Sequence, residues 1–273
     1  MTDREPLPLR TEREAFDRDG YIFVRGLLSP DETKALNDAV NSDPAIAASV
    51  LGMSDSSGGS TEIALWRSLD DDVFGAVSRL RRVVDRVERL LDGPTDFYHA
   101  KLTLKKPRTG GAWEWHQDFG YWYRQAHLAP DMMSVMIGLD QATRENGCLK
   151  VLRGSHKLGR IEHGTVEGQI GADLGYVEQA LDRFELVHCE LAPGDALFFH
   201  SNLLHASGPN TSDHSRNVML CCYNRADNKA FAPNPTNANI PITKLDDDAF
   251  ADYIARPLVH DRAFMNRETV GGA

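Results

Sequence analysis

The chain has 273 residues, of which 41% are hydrophobic, 8% aromatic and 26% charged, an ordinary globular composition. That excludes a wholly disordered or collagen-like chain, and no apolar run reaches the roughly 18 residues of a membrane-spanning helix. Lys and Arg number 30 against 40 Asp and Glu, and the net charge of −10 repels a phosphate backbone, so nucleic acid is not the expected partner.

Residues 1–10 are polar and proline-bearing, without the apolar centre of a secretory signal. The four cysteines, Cys148, Cys189, Cys221 and Cys222, form no CxxC pair. Both observations predict reduced thiols in a cytoplasmic protein and no zinc cluster. Residues 12–19 read as a helix and 21–25 as a strand. Ser29, Pro30 and Glu32 spell a capped helix start, with Glu32 three residues after the cap, and the helix runs to about residue 41. Residues 52–61 are a polar Gly/Ser stretch, read as a loop and a candidate mobile lid. Val73, Val77, Leu80, Val83, Val84, Val87, Leu90 and Leu91 recur at helical spacing within 70–91. Residues 1–95 are therefore expected to be mostly helical.

After residue 96 the period changes to two. Segments 97–105, 133–139, 148–152, 184–191, 196–200 and 218–223 read as short strands separated by Gly- and Pro-bearing turns. The expectation is a mainly β protein with N-terminal helices: one domain over 1–273, a jelly-roll-like core at 96–225, and an irregular C-terminal segment at 226–273.

The chemistry is concentrated in Trp115-His116-Gln117-Asp118. On a strand, residues two apart face one side, so His116 and Asp118 would reach one metal ion together. A third ligand from a distant strand would complete the two-histidine, one-carboxylate face of a non-haem Fe(II) site, with open positions. His205 fits best, because it follows a strand and a short turn. An isolated HxD is common by chance, and His188 or His200 reads equally as a satisfied buried histidine. The order of parts favours the metal reading: HxD, then a Pro-Gly-Asp turn, then His205, then Arg216. A planar arginine fork suits the far carboxylate of a metal-chelating 2-oxo acid, the alternative being a solvated surface arginine.

The segments FDRDGYIFVRGLLSPDE, WHQDFGYWY, ATRENGCLKVLRGSHKLG and LAPGDALFFHSNLLHASGPNTSDHSRNVMLCCYN together resemble the phytanoyl-CoA dioxygenase-like family of Fe(II)/2-oxoglutarate-dependent oxygenases. The resemblance covers most of the chain. It implies a double-stranded β-helix (jelly-roll, cupin-like) core, with Fe(II) as metal and 2-oxoglutarate and O2 as co-substrates. It implies His116, Asp118 and His205 as iron ligands, and Arg216 and Ser207 as partners of the 2-oxoglutarate C5 carboxylate. Lys101 and Thr103, on the preceding strand, would be further co-substrate contacts; the alternative is that both are exposed strand positions. Chlorinating members carry Gly or Ala where Asp118 stands, so the resemblance implies hydroxylation or a related oxidation rather than halogenation.

Trp113, Trp115, Tyr121, Trp122 and Tyr123 surround the HxD, as a cation-receiving aromatic wall or as core anchors. Trp122 and Phe199 match positions where ectoine hydroxylases carry aromatic residues. His99 stands where those enzymes carry Gln and Leu220 where they carry a second aromatic, so ectoine itself is not expected. His163 and Gln169 are polar candidates within the 159–173 stretch. Lys105, Lys106 and Arg108 read as a solvated loop, the alternative being cations near the mouth that steer an anionic group, and no long basic patch offers itself to an acyl-CoA. The expected substrate is a small zwitterion: an aminoethylphosphonate-like, quaternary ammonium or amino-acid-like molecule. Two readings compete: a catalytically silent binding module, and a cupin-like metal protein working without 2-oxoglutarate. The oligomeric state, homodimer included, stays open.

Overall fold

The computed structural model describes residues 9–265 except 56, 57, 167, 235 and 236. The chain begins with helix α1 (Leu9–Asp19), strand β1 (Tyr21–Val24), and helices α2 (Pro30–Ser42) and α3 (Pro44–Ser49). Strands β2 (Leu51–Ser54) and β3 (Ser60–Trp66) follow, then helices α4 (Val73–Val77) and α5 (Arg81–Leu91). The central part holds β4 (Thr95–Lys105), β5 (Trp113–His116), α6 (Asp118–Arg124), β6 (Met132–Gly138), β7 (Leu149–Leu152), β8 (His163–Val166) and β9 (Gln169–Ala172). It continues with α7 (Leu174–Leu181), β10 (Leu186–Cys189), β11 (Ala196–His200), β12 (His205–Ser207), β13 (Arg216–Arg225) and, near the end, α8 (Phe250–Ile254).

Local rules account for much of this. The capping box on α2 is formed: the Ser29 side chain accepts from Glu32 N at 3.2 Å, and Glu32 Oε2 accepts from Ser29 N at 2.7 Å. The apolar stripe at 70–91 is divided between two helices, with Ser78 closing α4 and Leu80 opening α5.

Seven antiparallel strands form one sheet in the order β1-β11-β6-β13-β4-β3-β2, and four form a second in the order β10-β7-β12-β5. Alternation along the strands separates two cores. Val135, Ile137, Phe198, Met219 and Cys221 face α1, α2, α4, α5 and α8 in the larger core. Met136, Leu197, Phe199, Val218 and Leu220 face Leu149, Val151 and Cys189 of the smaller sheet. Both faces of the large sheet are thus covered, which is why ALFFH and RNVMLCCYN read as unbroken apolar runs. This is the jelly-roll core with helices on one side.

Three expectations are refined. The segment up to residue 95 is rich in helix, with α1 to α5, but it also contributes β1, β2 and β3 to the large sheet. The 52–61 stretch is not a free loop: residues 51–54 and 60–63 pair as the β2–β3 hairpin. Its small polar residues lie on a sheet edge, where little apolar surface is needed, so the strand signal is weak. The tail is irregular but tethered: Ile240 bridges Phe97, Leu245 bridges Leu80 and Phe264 bridges Trp66. Buried Arg262 ties it to Asp43 at 3.3 Å and Asp72 at 2.8 Å. All four cysteines are buried and unpaired. Among the described residues no helix is long and apolar enough to cross a membrane.

Candidate active site

Strands β5 and β12 are neighbours, with His205 directly opposite His116 and their ring centroids 4.0 Å apart. Each ring is fixed by the carbonyl two residues before it. His116 Nδ1–H donates to Glu114 O at 2.7 Å, and His205 Nδ1–H donates to Leu203 O at 2.8 Å. A carbonyl only accepts, so both Nε2 atoms are left free as acceptors or metal donors. Burial pushes both rings below the usual histidine range, His116 well below, and keeps them neutral, as ligation requires.

Asp118 joins them by a route other than the expected one. His116 ends β5, Gln117 is the cap and Asp118 opens α6, so the pair spans a strand-to-helix junction rather than one strand face. Gln117 holds that junction. Its amide donates to Gly159 O at 2.7 Å and Asn202 O at 2.8 Å, and accepts from Ile161 N at 2.7 Å. Its backbone N–H donates to His163 Nε2 at 2.9 Å. Gly120 is required here, because a Cβ would sit 2.2 Å from the His163 ring. The result is three buried ligand atoms, from His116, Asp118 and His205, all within 4.8 Å of one another.

The Asp118 carboxylate is oriented on both oxygens. Oδ2 accepts from the Ser134 hydroxyl at 2.6 Å, while Oδ1 lies 3.9 Å from both His205 Nε2 and Lys101 Nζ. Burial alone would push this carboxyl up, but Lys101, His205, Ser134 and His99 together hold it below the usual carboxylate range.

A pocket of about 440 Å³, its mouth included, runs from His116 and His205 past Lys101 and Thr103 to Ser207 and Arg216. Met136, Leu149 and Leu220 form apolar wall along it. At the far end Arg216 opens β13, is buried, and has no hydrogen-bond partner for Nε. Burial lowers its pKa only to about 10, so it stays a cation. Lys105 completes this end. It is fully buried and donates to Ser207 Oγ at 2.8 Å and to Gly208 O. Burial, then the neighbouring Arg216, push its pKa down to about 6. The expectation of a solvated Lys105 is therefore corrected. The signal was available: residues 101, 103 and 105 share one face of β4. Lys106, paired with Glu62, and Arg108, paired with Asp213, are the solvated ones.

None of the five candidate substrate residues lines this opening. Phe199 stands edge-on to His205 at 5.0 Å, and the Tyr121 ring lies 5.5 Å from His116 with its hydroxyl donating to Ile170 O. Trp122 belongs to a buried cluster with Tyr98, Phe119, Met132 and Cys222, and its edge meets His99 at 5.7 Å. Gln169 is committed elsewhere: its amide donates to Ser54 O and Ala112 O and accepts from Glu114 N. His163 is likewise used up, between Ile161 O and Gln117 N. Both are spacers that hold the hairpin β8–β9 against β5, which corrects their reading as substrate contacts.

Residues 16–218 match the family model described as phytanoyl-CoA dioxygenase. The chain belongs to the phytanoyl-CoA dioxygenase family. As a member it is an iron- and 2-oxoglutarate-dependent dioxygenase. It is 31% identical over 243 residues to L-proline trans-4-hydroxylase of Streptomyces griseoviridis, covering 83% of this chain and 90% of that one. It is 28% identical over 250 residues to ectoine dioxygenase of Stutzerimonas stutzeri, covering 85% and 82%. The crystal structure of EctD from S. alaskensis with 2-oxoglutarate and 5-hydroxyectoine superposes with a TM-score of 0.70 at 23% identity, over 90% of each chain. That likeness is one of fold.

The residues present suit the family's cofactor and co-substrate. Two neutral imidazoles and one ionised carboxylate are the donor set of a ferrous centre with open positions. The unpaired Arg216 Nε, buried at the other end of the same pocket, suits the distal carboxylate of a 2-oxo diacid.

Proposed function

We propose that this dioxygenase hydroxylates a small zwitterionic, amino-acid-like metabolite, with Fe(II) held by His116, Asp118 and His205. The observation that carries the site is the convergence of three buried ligand atoms within 4.8 Å at the head of a pocket that ends on Arg216. Fe(II), 2-oxoglutarate and O2 together supply the oxidation that turns a substrate C–H into C–OH, with succinate and CO2 as the other products.

The remaining work belongs to the chain. Arg216 would receive the C5 carboxylate of 2-oxoglutarate through its fork. Ser207 Oγ already accepts from Lys105, so its own proton is free to donate to that carboxylate. Lys105 adds a second cation when it takes up a proton. Thr103 and Lys101 line the pocket nearer the metal as co-substrate contacts, and Met136, Leu149 and Leu220 keep water from its middle. The carboxylate of Asp118, in place of Gly or Ala, supports hydroxylation over halogenation.

Two observations support the substrate class. Relatives that match more than four-fifths of the chain are named for proline and ectoine, both small and zwitterionic. Trp113, an aromatic residue lining the pocket, lies 6.1 Å from the His116 ring and offers a face for an ammonium or ring, while Tyr121 and Phe199 back the two histidines from behind the lining. His99 and Leu220, departing from the ectoine hydroxylase pattern, favour an amino acid or a phosphonate analogue over ectoine.

The test is turnover of the Fe(II)-loaded enzyme with 2-oxoglutarate against a panel: L-proline and other cyclic amino acids, ectoine, betaines and aminoethylphosphonate. Succinate formation above the substrate-free rate is expected with an amino-acid-like member. Stimulation by none of the panel would overturn the substrate class.

A further inference from the structure

Strand β6 is buried along all seven residues, and Ser134 carries its one hydroxyl. A hydroxyl in so apolar a strand needs a partner, and it has two: Asp118 Oδ2 at 2.6 Å and Cys222 Sγ at 3.3 Å. Cys222 stands directly opposite Ser134 on β13. The proton inventory gives the chain of bonds one direction. An ionised carboxylate only accepts, so the single Ser134 proton goes to Asp118. Burial pushes the Cys222 pKa up to about 12, so the thiol keeps its proton and donates to Ser134 Oγ. The second carboxylate oxygen, Oδ1, is the one facing His205 Nε2, at 3.9 Å.

We propose that Ser134 is a positioning residue that restricts Asp118 to one-oxygen ligation of the metal. This rests on the reading of His116, Asp118 and His205 as the Fe(II) ligands. A ferrous ion held by those three donors would keep open positions for the two chelating oxygens of a 2-oxo acid and for O2. A carboxylate free to swing its second oxygen onto the metal would occupy one of them and compete with the co-substrate. Nothing else among the described residues bonds Asp118 Oδ2, so Ser134 alone opposes that swing.

The experiment is an anaerobic titration of the Fe(II)-loaded enzyme with 2-oxoglutarate, read by the visible charge-transfer absorption of the chelate. Metal affinity is measured separately by competition with a chromogenic chelator. Ser134→Ala is expected to keep one Fe(II) per chain with wild-type or tighter affinity. Its dissociation constant for 2-oxoglutarate should rise about tenfold or more. Ser134→Thr, which returns the hydroxyl, should recover most of that loss. Cys222→Ala keeps the Ser134–Asp118 bond and should stay close to wild type. Wild-type 2-oxoglutarate affinity in Ser134→Ala would overturn the proposal. So would loss of metal in step with 2-oxoglutarate, or equal defects in Cys222→Ala and Ser134→Ala, which would make packing between β6 and β13 the cause. If Ser134→Ala does not fold, Ser134→Cys is read instead: a weaker donor must give an intermediate defect, and no defect overturns the proposal. A wild-type chain that binds no Fe(II) overturns the ligand reading itself, an outcome distinct from an unchanged Ser134→Ala.

Discussion

At the metal end of the pocket the chain supplies every supporting bond: Glu114 O holds His116, Leu203 O holds His205, and Ser134 holds Asp118. At the other end the buried Arg216 cation sits beside buried Lys105, whose pKa it helps push down to about 6, and Arg216 Nε has no partner. The first end is bonded in place before anything binds. The second holds one cation and a lysine that gains its charge when an anion arrives. Metal binding should therefore depend on geometry and respond little to pH near neutrality, while co-substrate binding should depend on charge and respond to it.

The largest expected effects come from removing the metal end. His116→Ala or His205→Ala should lose Fe(II) affinity by more than the roughly 100-fold typical of supporting residues, with turnover lost alongside. Metal stoichiometry checks this, and retained Fe(II) in both variants would break the comparison. Arg216→Ala should leave Fe(II) affinity intact and raise the KM for 2-oxoglutarate by about 10- to 100-fold, the worth of a charge-assisted hydrogen-bond pair at about 1.5–3 kcal/mol. Equal loss of metal in that variant would show that the two ends are not separable.

Gln117→Ala should act on the metal end through the fold. It orphans Gly159 O, Asn202 O and Ile161 N, each at a cost of about 1–3 kcal/mol where buried, so Tm and metal affinity should fall together. Unchanged Tm would mean that the HxD junction does not depend on that amide.

The pH response is smaller. Without ligand Lys105 has a pKa of about 6, lowered by burial and then by Arg216, with Lys150 acting the same way and Asp55 opposing. Cys148, pushed up to about 11, does not titrate near neutrality. A bound carboxylate favours protonated Lys105, so 2-oxoglutarate binding takes up a proton above pH 6. Affinity should then fall as pH rises through 6 to 8, by at most about tenfold per pH unit, and be flat below 6. Calorimetry in two buffers of different ionisation enthalpy reads the proton directly. Lys105→Met should abolish the uptake, and an uptake that survives would assign it to another group.

Legibility followed the same division. His116, His205 and Arg216 sit at strand ends and Asp118 opens the helix two residues after His116, where sequence order and chemistry coincide, while Ser207 is legible only through the family resemblance. The double sheet is readable from alternation after residue 96. The β2–β3 hairpin is hidden because an edge strand of small polar residues buries little and leaves no periodic pattern. Lys105 is hidden because a lysine before Lys106-Pro107 looks solvated until the β4 face is fixed by its partner β13, which pairs Arg216 with Lys105. Gln169 and His163 look like ligand contacts by type, yet backbone groups from distant strands consume them, and those partnerships are three-dimensional facts. Ser134 is hidden for the same reason, one hydroxyl in an apolar run whose partner lies on a helix.

The most direct measurement is anaerobic reconstitution with Fe(II) followed by addition of 2-oxoglutarate. One Fe(II) per chain and a visible charge-transfer band are expected, with the metal lost in His205→Ala, and the metal kept but the band weakened in Arg216→Ala. A wild-type chain that takes up no Fe(II), or that holds it equally well without His116 and His205, would contradict the account.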